Sequence, residues 1–357
     1  MRLGNENRWF VHFAILLSEE DEEANMRIPL DELRAKTDGA LRFYGYDAEE
    51  RRVLSEVLLY AQLRGNNQGI IKLIGAGIPR DAASGPIHVE HETALSARLD
   101  GSRQHGMLVL NHAVDLALEK AKASGFGIVG SHNTATSTGA IGYFAGRIAA
   151  ADCIGIVASS SPGSVAFHGS TQALLGTNPI AFGIPSVGGS LVLDMSTSAI
   201  ARYGVLEAQT AGAELPAGVA IDADGAATRD PSAALQGAIL PFGGYKGAAL
   251  SLMVEVLAGP LVGAACAGMA DVSRNWGNLA LALAPALLVD GETFLQQVAD
   301  LAATLRAGTR LPGVEAIQLP GERGDAIRAA VEAEGALEIE DNLWQELCAV
   351  AARAGEA

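Results

Sequence analysis

Two stretches carry side chains whose neighbours suggest chemistry. Lys246 lies in Gly243-Gly244-Tyr245-Lys246-Gly247, directly before the apolar helical run 248–257. A lone ammonium between glycines at a helix start is placed to meet an anion, because the first backbone N–H groups of the helix add to its field. The plainer alternative is a solvated lysine. The stretch is not a phosphate-binding P-loop, since the glycine before the lysine and the Ser or Thr after it are missing. Asp194 ends the apolar run Leu191-Val192-Leu193 and opens into Met195-Ser196-Thr197-Ser198. A carboxylate closing a buried strand needs hydrogen-bond donors, and capping the following residues is the plainer role for it.

Both stretches follow residues 127–185, around which the chain is organised. Runs 127–130, 154–158 and 180–184 read as buried strands, separated by segments dense in Gly, Ser, Thr and Asn. A helical pattern over 141–151 follows the cap-like Thr136-Ser137-Thr138-Gly139. Hydroxyls, amides and a helix N-terminus gathered above strands make an anion and small-molecule site.

The elements that must hold this site fill the rest of the 357 residues. Helices are read over 29–34, 47–63, 107–124, 248–257, 291–307, 323–334 and 342–354, the second opening on an Asp cap. Strand-like pieces lie at 87–90, 94–99, 191–194 and 279–283, and 214–237 is polar and turn-rich. Gly75-Ala76-Gly77-Ile78-Pro79 is a poor dinucleotide fingerprint, with no third glycine and a proline where a helix should start, so a Rossmann assignment is rejected. His105 and His112 are read as surface or packing residues.

A net charge of −16 without a basic cluster excludes nucleic acid and anionic membranes as natural partners. Cys153, Cys266 and Cys348, odd in number and in apolar surroundings, suit reduced, buried thiols in a cytoplasmic protein. No acidic cluster has metal-ligand spacing, and no metal is assigned. The apolar run 9–17 is too short to span a bilayer and is followed by acids instead of a cleavage site. Residues 1–25 are therefore expected to be a poorly ordered extension. The expected division is a helical domain from 26–83 and 240–357 around a sheet-bearing, cofactor-binding domain, 84–239.

Four motifs in order, Leu175-Gly176-Thr177-Asn178-Pro179-Ile180-Ala181, Asp194-Met195-Ser196-Thr197-Ser198, Gly243-Gly244-Tyr245-Lys246-Gly247 and Leu319-Pro320-Gly321-Glu322, span roughly 47–354. Together they resemble the type-2 malate/L-lactate dehydrogenase family, which includes ureidoglycolate, sulfolactate and diketogulonate dehydrogenases and cyclic-imine reductases. The resemblance implies a non-Rossmann α/β fold with a mixed-sheet domain and a helical domain from both chain ends. It also implies NADH or NADPH as hydride donor, no metal, and a homodimer. Carried over by position, Ser161, Asp194, Met195, Ser196, Lys246, Gly321, Glu322 and Arg323 match cofactor contacts.

At the catalytic end the sequence departs from the family. The usual Ser-His-Gly triplet becomes Asn67-Gln68-Gly69, the arginine that grips the substrate carboxylate becomes Lys72, and a second histidine becomes Ser137. Gln68 does not titrate near neutrality, and Lys72 keeps the charge without a two-toothed grip. Lys72 is assigned to the carboxylate. His132, leaving the first strand, is assigned the proton transfer for its near-neutral titration, with His168 second. A small 2-oxo acid is the favoured substrate. The alternatives are a cyclic or open 2-imino acid, which can arrive protonated, and a non-catalytic nucleotide-binding homologue.

Overall fold

The computed structural model describes residues 25–66, 68–269 and 275–355, so most of the N-terminal extension lies outside the described residues. Strand β1 (Asn25–Pro29) leads into helices α1 (Leu30–Phe43) and α2 (Ala48–Gln62). The Asp cap of α2 is a reciprocal capping box: Asp47 accepts from the Glu50 N–H, and Glu50 accepts from the Asp47 N–H, both at 3.0 Å. Leu33, Leu41, Leu54 and Leu58 are fully buried on the inner sides of these helices.

The sheet then begins with β2 (His88–Glu92) and β3 (Ser96–Asp100), followed by helix α3 (Gly106–Ser124), β4 (Phe126–Thr134), α4 (Gly142–Ala149) and β5 (Ile154–Ser159). Short strands β6 (Val165–Ala166) and β7 (Ala173–Leu175) leave it before β8 (Ile180–Ile184) and β9 (Leu191–Met195) return. The three runs and the helix at the heart of the sequence thus form β4, α4, β5 and β8.

Helix α5 (Arg202–Thr210), β10 (Ala220–Ile221), β11 (Ala227–Thr228), α6 (Pro231–Gln236) and β12 (Ala238–Ile239) complete a second, five-stranded sheet with β6 and β7. The polar stretch 214–237 hides these elements from periodicity, because two-residue strands hold too few positions for alternation to show. Helix α7 (Tyr245–Ala258) buries Val254 against Ala158, Ile180 and Leu279. After it come β13 (Trp276–Leu283), α8 (Gly291–Arg306), α9 (Glu322–Glu334), β14 (Ala336–Glu340) and α10 (Asp341–Ala352).

The seven-stranded sheet has the order β2-β3-β4-β13-β5-β8-β9. It is mixed, since β3 and β4 run parallel while β13 is antiparallel to both β4 and β5. This corrects the expected division at residue 240. The C-terminal portion is not purely helical, because its strand β13 fills the centre of the sheet. The two ends do share one layer, where β1 and β14 pair antiparallel. All three cysteines are free, but only Cys153 is buried.

Candidate active site

Lys72 is fixed by its neighbours. The single turn Ile70–Leu73 places Ile70 and Leu73 in the core, both fully buried. The Ile70 N–H donates to Gln62 Oε1 at 3.0 Å, and the Tyr44 hydroxyl donates to the Leu73 carbonyl at 2.7 Å. Lys72 between them is only 3% exposed. Its Nζ lies 3.4 Å from Ser137 Oγ and 3.6 Å from the centroid of the Tyr203 ring. No carboxylate pairs with it among the described residues. Burial disfavours the ammonium and pushes its pKa down to about 7.

His105 stands beside it as the N-cap of α3. Its Nδ1 accepts from the Met107 N–H at 3.3 Å, which in the neutral ring puts the proton on Nε2. That Nε2 is buried without a partner. Burial, and then the charge of Lys72, push the imidazole down to about 3. Gly106 lets the helix start approach the next loop: a Cβ there would lie 2.4 Å from the Thr136 carbonyl oxygen. The same loop carries Ser137 to Lys72. The expectation of a surface or packing role for His105 misses this placement; the signal in the sequence is its position between the Asp100-Gly101 turn and the first residue of a helix.

Across the cavity, Asp194 Oδ2 accepts the Gly142 N–H at 2.8 Å, at the start of α4. Asp194 borders the open cleft, yet burial of its carboxyl pushes the pKa up to about 6, opposed by that backbone donor. Gly142 is required there, since a Cβ would lie 2.9 Å from the Asp194 Cβ. Ser161 Oγ accepts the Thr177 N–H at 3.0 Å, so the motif around Asn178 braces the loop after β5. Ser196 donates to the Ser198 carbonyl at 3.2 Å.

These groups enclose a cavity of about 590 Å³, a size common for small-molecule sites. Gln68, Lys72, Ser161, Asp194, Met195 and Ser196 all line it, as do His105, Ser137 and Tyr203. His132 does not. Its Nε2 lies 2.8 Å from Glu90 Oε2, and Glu90 also receives the Arg98 Nε–H at 3.0 Å. The hydrogen bond from His132, with its charge and that of Arg98, holds the Glu90 carboxyl below its usual range. The ring expected to donate the proton is thus engaged with Glu90 on the outer β2–β3–β4 edge and is not part of this cavity's lining.

His168 stacks edge-on to Tyr245, with centroids 6.4 Å apart. Lys246 is exposed on the first turn of α7 and lies outside the cavity wall. Gly321, Glu322 and Arg323 also lie outside it. Gly321 is seated against β9, where a Cβ would lie 3.0 Å from the Val192 carbonyl oxygen. Glu322 accepts the Leu319 N–H at 2.7 Å and the Arg306 Nε–H at 2.6 Å.

His105 and Trp276, both on the cavity wall, each carry a buried ring nitrogen with no partner among the described residues. Buried donors are normally satisfied, so this wall is built for ligands rich in acceptors. A nicotinamide carboxamide and a small carboxylate fit that chemistry, with hydroxyls on one side and the cation on the other.

The sequence profile of the family described as malate/L-lactate dehydrogenase matches residues 28–348. An L-sulfolactate dehydrogenase of Methanothermobacter thermautotrophicus is 38% identical over 293 residues, 78% of this chain and 86% of that protein. A delta(1)-pyrroline-2-carboxylate/delta(1)-piperideine-2-carboxylate reductase of Pseudomonas syringae pv. tomato is 36% identical over 82% of this chain and 87% of its own length. The crystal structure of a dehydrogenase from Sinorhizobium meliloti superposes with a TM-score of 0.83 at 31% identity, covering 92% of this chain and 99% of that one.

Proposed function

The chain belongs to the malate/L-lactate dehydrogenase family and is an oxidoreductase acting on small acids, and from that premise we propose that this cavity reduces C2 of a small 2-oxo acid with NADH or NADPH. When bound, the reduced nicotinamide supplies the hydride. Ser161, Asp194, Met195 and Ser196 form the wall that would hold it. Lys246 and residues 321–323 lie beyond that wall and are assigned to the outer parts of the dinucleotide. The observation that carries the reading is Lys72, a buried cation inside the cavity with no carboxylate partner among the described residues. A substrate carboxylate would complete the pair that the protein leaves open. Gln68 lines the same end as a neutral hydrogen-bonding group.

A second reading, reduction of a cyclic or open 2-imino acid, is favoured by one observation. The histidine that the family resemblance assigns to proton transfer is replaced by Gln68, and a second family histidine by Ser137, so an imine that arrives protonated asks less of this site. A cytoplasmic homodimer completes the proposal. Three free thiols suit a reducing compartment, and Leu252, Met253 and Val256 expose an apolar side of α7.

The test is oxidation of NADH and NADPH with pyruvate and oxaloacetate against pyrroline- and piperideine-2-carboxylate, beside a fluorescence titration of each dinucleotide. Turnover of a 2-oxo acid with a kcat/KM at least about tenfold above that for either imine supports the first reading, and the reverse ratio supports the second. Dinucleotide binding without turnover of either class would sink both.

A further inference from the structure

We propose that His105 and Lys72 act together on the reacting atom: neutral His105 donates an Nε2–H hydrogen bond to the C2 oxygen or nitrogen, and the Lys72 ammonium yields the proton. This rests on the reductase reading above and goes beyond it by naming the proton source. The geometry points to His105 on three counts. Its Nδ1 is committed to the Met107 N–H, which leaves Nε2 as the donor of the neutral ring. That Nε2 is buried without a partner. The ring also lines both the site cavity and a second cavity of about 560 Å³, which Tyr46, Arg80 and Arg103 also line, with the Tyr46 ring edge-on to it.

The arginines of the second cavity are not competitors for the role. Arg80 is paired with Glu50 and Arg103 with Asp81, each at 2.8 Å. A buried donor at a helix N-terminus that cannot readily take up a proton is suited to polarise a carbonyl, and triosephosphate isomerase uses a neutral histidine in this manner. The neutral ring is a poor source of the proton itself, since releasing it would leave a buried imidazolate. Lys72 is the neighbouring group that can release one near neutrality. The groups facing it are Ser137 from the loop after β4, Tyr203 and Arg202 from the start of α5, His105 from α3, and Asp194 across the cavity.

The step balances as follows. C2 gains a hydride from the reduced nicotinamide, which would be left oxidised, the C=O π pair moves to oxygen, and that oxygen takes a proton from Lys72 Nζ. The lysine amine is recharged from water as the product leaves. One ammonium can bridge the carboxylate and the C2 oxygen of a 2-oxo acid, because the two oxygens lie on adjacent carbons. An iminium substrate already carries its proton and needs only the carboxylate contact.

Four proteins decide it: wild type, His105→Phe, His105→Asn and Lys72→Arg, each assayed across pH 5.5–9 with a 2-oxo acid and a cyclic iminium, beside dinucleotide fluorescence. Asn is a favoured N-cap and keeps the acceptor for Met107, so His105→Asn preserves the helix start. Both His105 variants should bind dinucleotide within about twofold of wild type while kcat on the 2-oxo acid falls about 10²-fold or more for Phe and about tenfold for Asn. Lys72→Arg should lower that kcat by about 10²–10⁴-fold and erase the pH limb near 7, while iminium reduction falls less than about tenfold. Losses under about threefold in both His105 variants, or a pH limb that survives in Lys72→Arg, would overturn the proposal. A wild-type enzyme that turns over neither substrate class overturns the reductase reading itself, a result separate from any variant.

Discussion

His132 and His105 sit on adjoining elements of one fold and show how differently the same side chain can be used. His132 lies on the outer edge of the sheet, 2.8 Å from the Glu90 carboxylate, in a cluster that Arg98 completes. Every charge there has a partner, and solvent reaches the cluster. His105 is 4% exposed, has a backbone donor on one nitrogen and nothing on the other, and shares its surroundings with a buried lysine. The outer cluster satisfies itself. The inner pair is left incomplete, at a cost in stability that only a ligand can offset. Reactive capacity therefore tracks unmet need and not the presence of a titratable ring.

The strongest way to break this contrast is Lys72→Ala. It removes both the carboxylate's counter-charge and the proton source, and kcat/KM on a 2-oxo acid should fall by about 10³-fold or more. Dinucleotide binding, carried by the opposite wall, should change little. A loss confined to less than about tenfold would show that the buried cation is a structural accident.

The two histidines can be set directly against each other. His105→Ala should lower kcat about 10²-fold, whereas His132→Ala should leave it within about threefold. Matched losses would erase the distinction. A large loss in His132→Ala alone would reverse it and return the proton-transfer role to the sheet edge.

The cost of the unfinished pair should be visible in stability. The Lys72 pKa is about 7 in the folded protein and about 10.5 when solvated, so the unfolded chain holds more protons between those values. The burial penalty is then fully present below about pH 7 and fades as pH rises toward the unfolded value. Lys72→Met should raise the melting temperature by about 2–4 °C at pH 6, and by less at pH 9.5. A variant that melts lower than wild type at both pH values would mean that the contact with the Tyr203 ring outweighs the desolvation.

Much of this frame could be read from residue order. The Asp47 cap and the three runs that became β4, β5 and β8 follow from local patterns, while Ser161, Asp194 and Ser196, which share one wall of the cavity, are pointed to by the family resemblance. Two features could not be read that way. Strand β13 enters the sheet between β4 and β5 from more than a hundred residues downstream, and no local pattern records its partners. His105 lay in plain sight, but its meaning depends on burial and on Lys72, which the fold brings to it from a different element. His132 offered an imidazole at the right end of a strand. The side on which a strand residue faces is set by pairing, and pairing handed it to Glu90.

The smallest effect concerns that outer cluster, and it marks the other limit of the comparison. Glu90→Gln removes the negative charge shared by His132 and Arg98, with the Glu90 side chain 34% exposed. Such surface pairs contribute under about 1 kcal/mol, and less in 1 M salt. Because the carboxyl is held below its usual range, its contribution is present above the ordinary carboxylate range and disappears as acid protonates it. Chemical denaturation at pH 7 should therefore show the variant slightly less stable than wild type, with the gap closing in high salt and below about pH 4. Turnover should be unchanged. A salt-insensitive loss above about 2 kcal/mol would mean that the edge cluster braces β2 against the sheet, and then His132 would be structural in a stronger sense than an exposed ion pair allows.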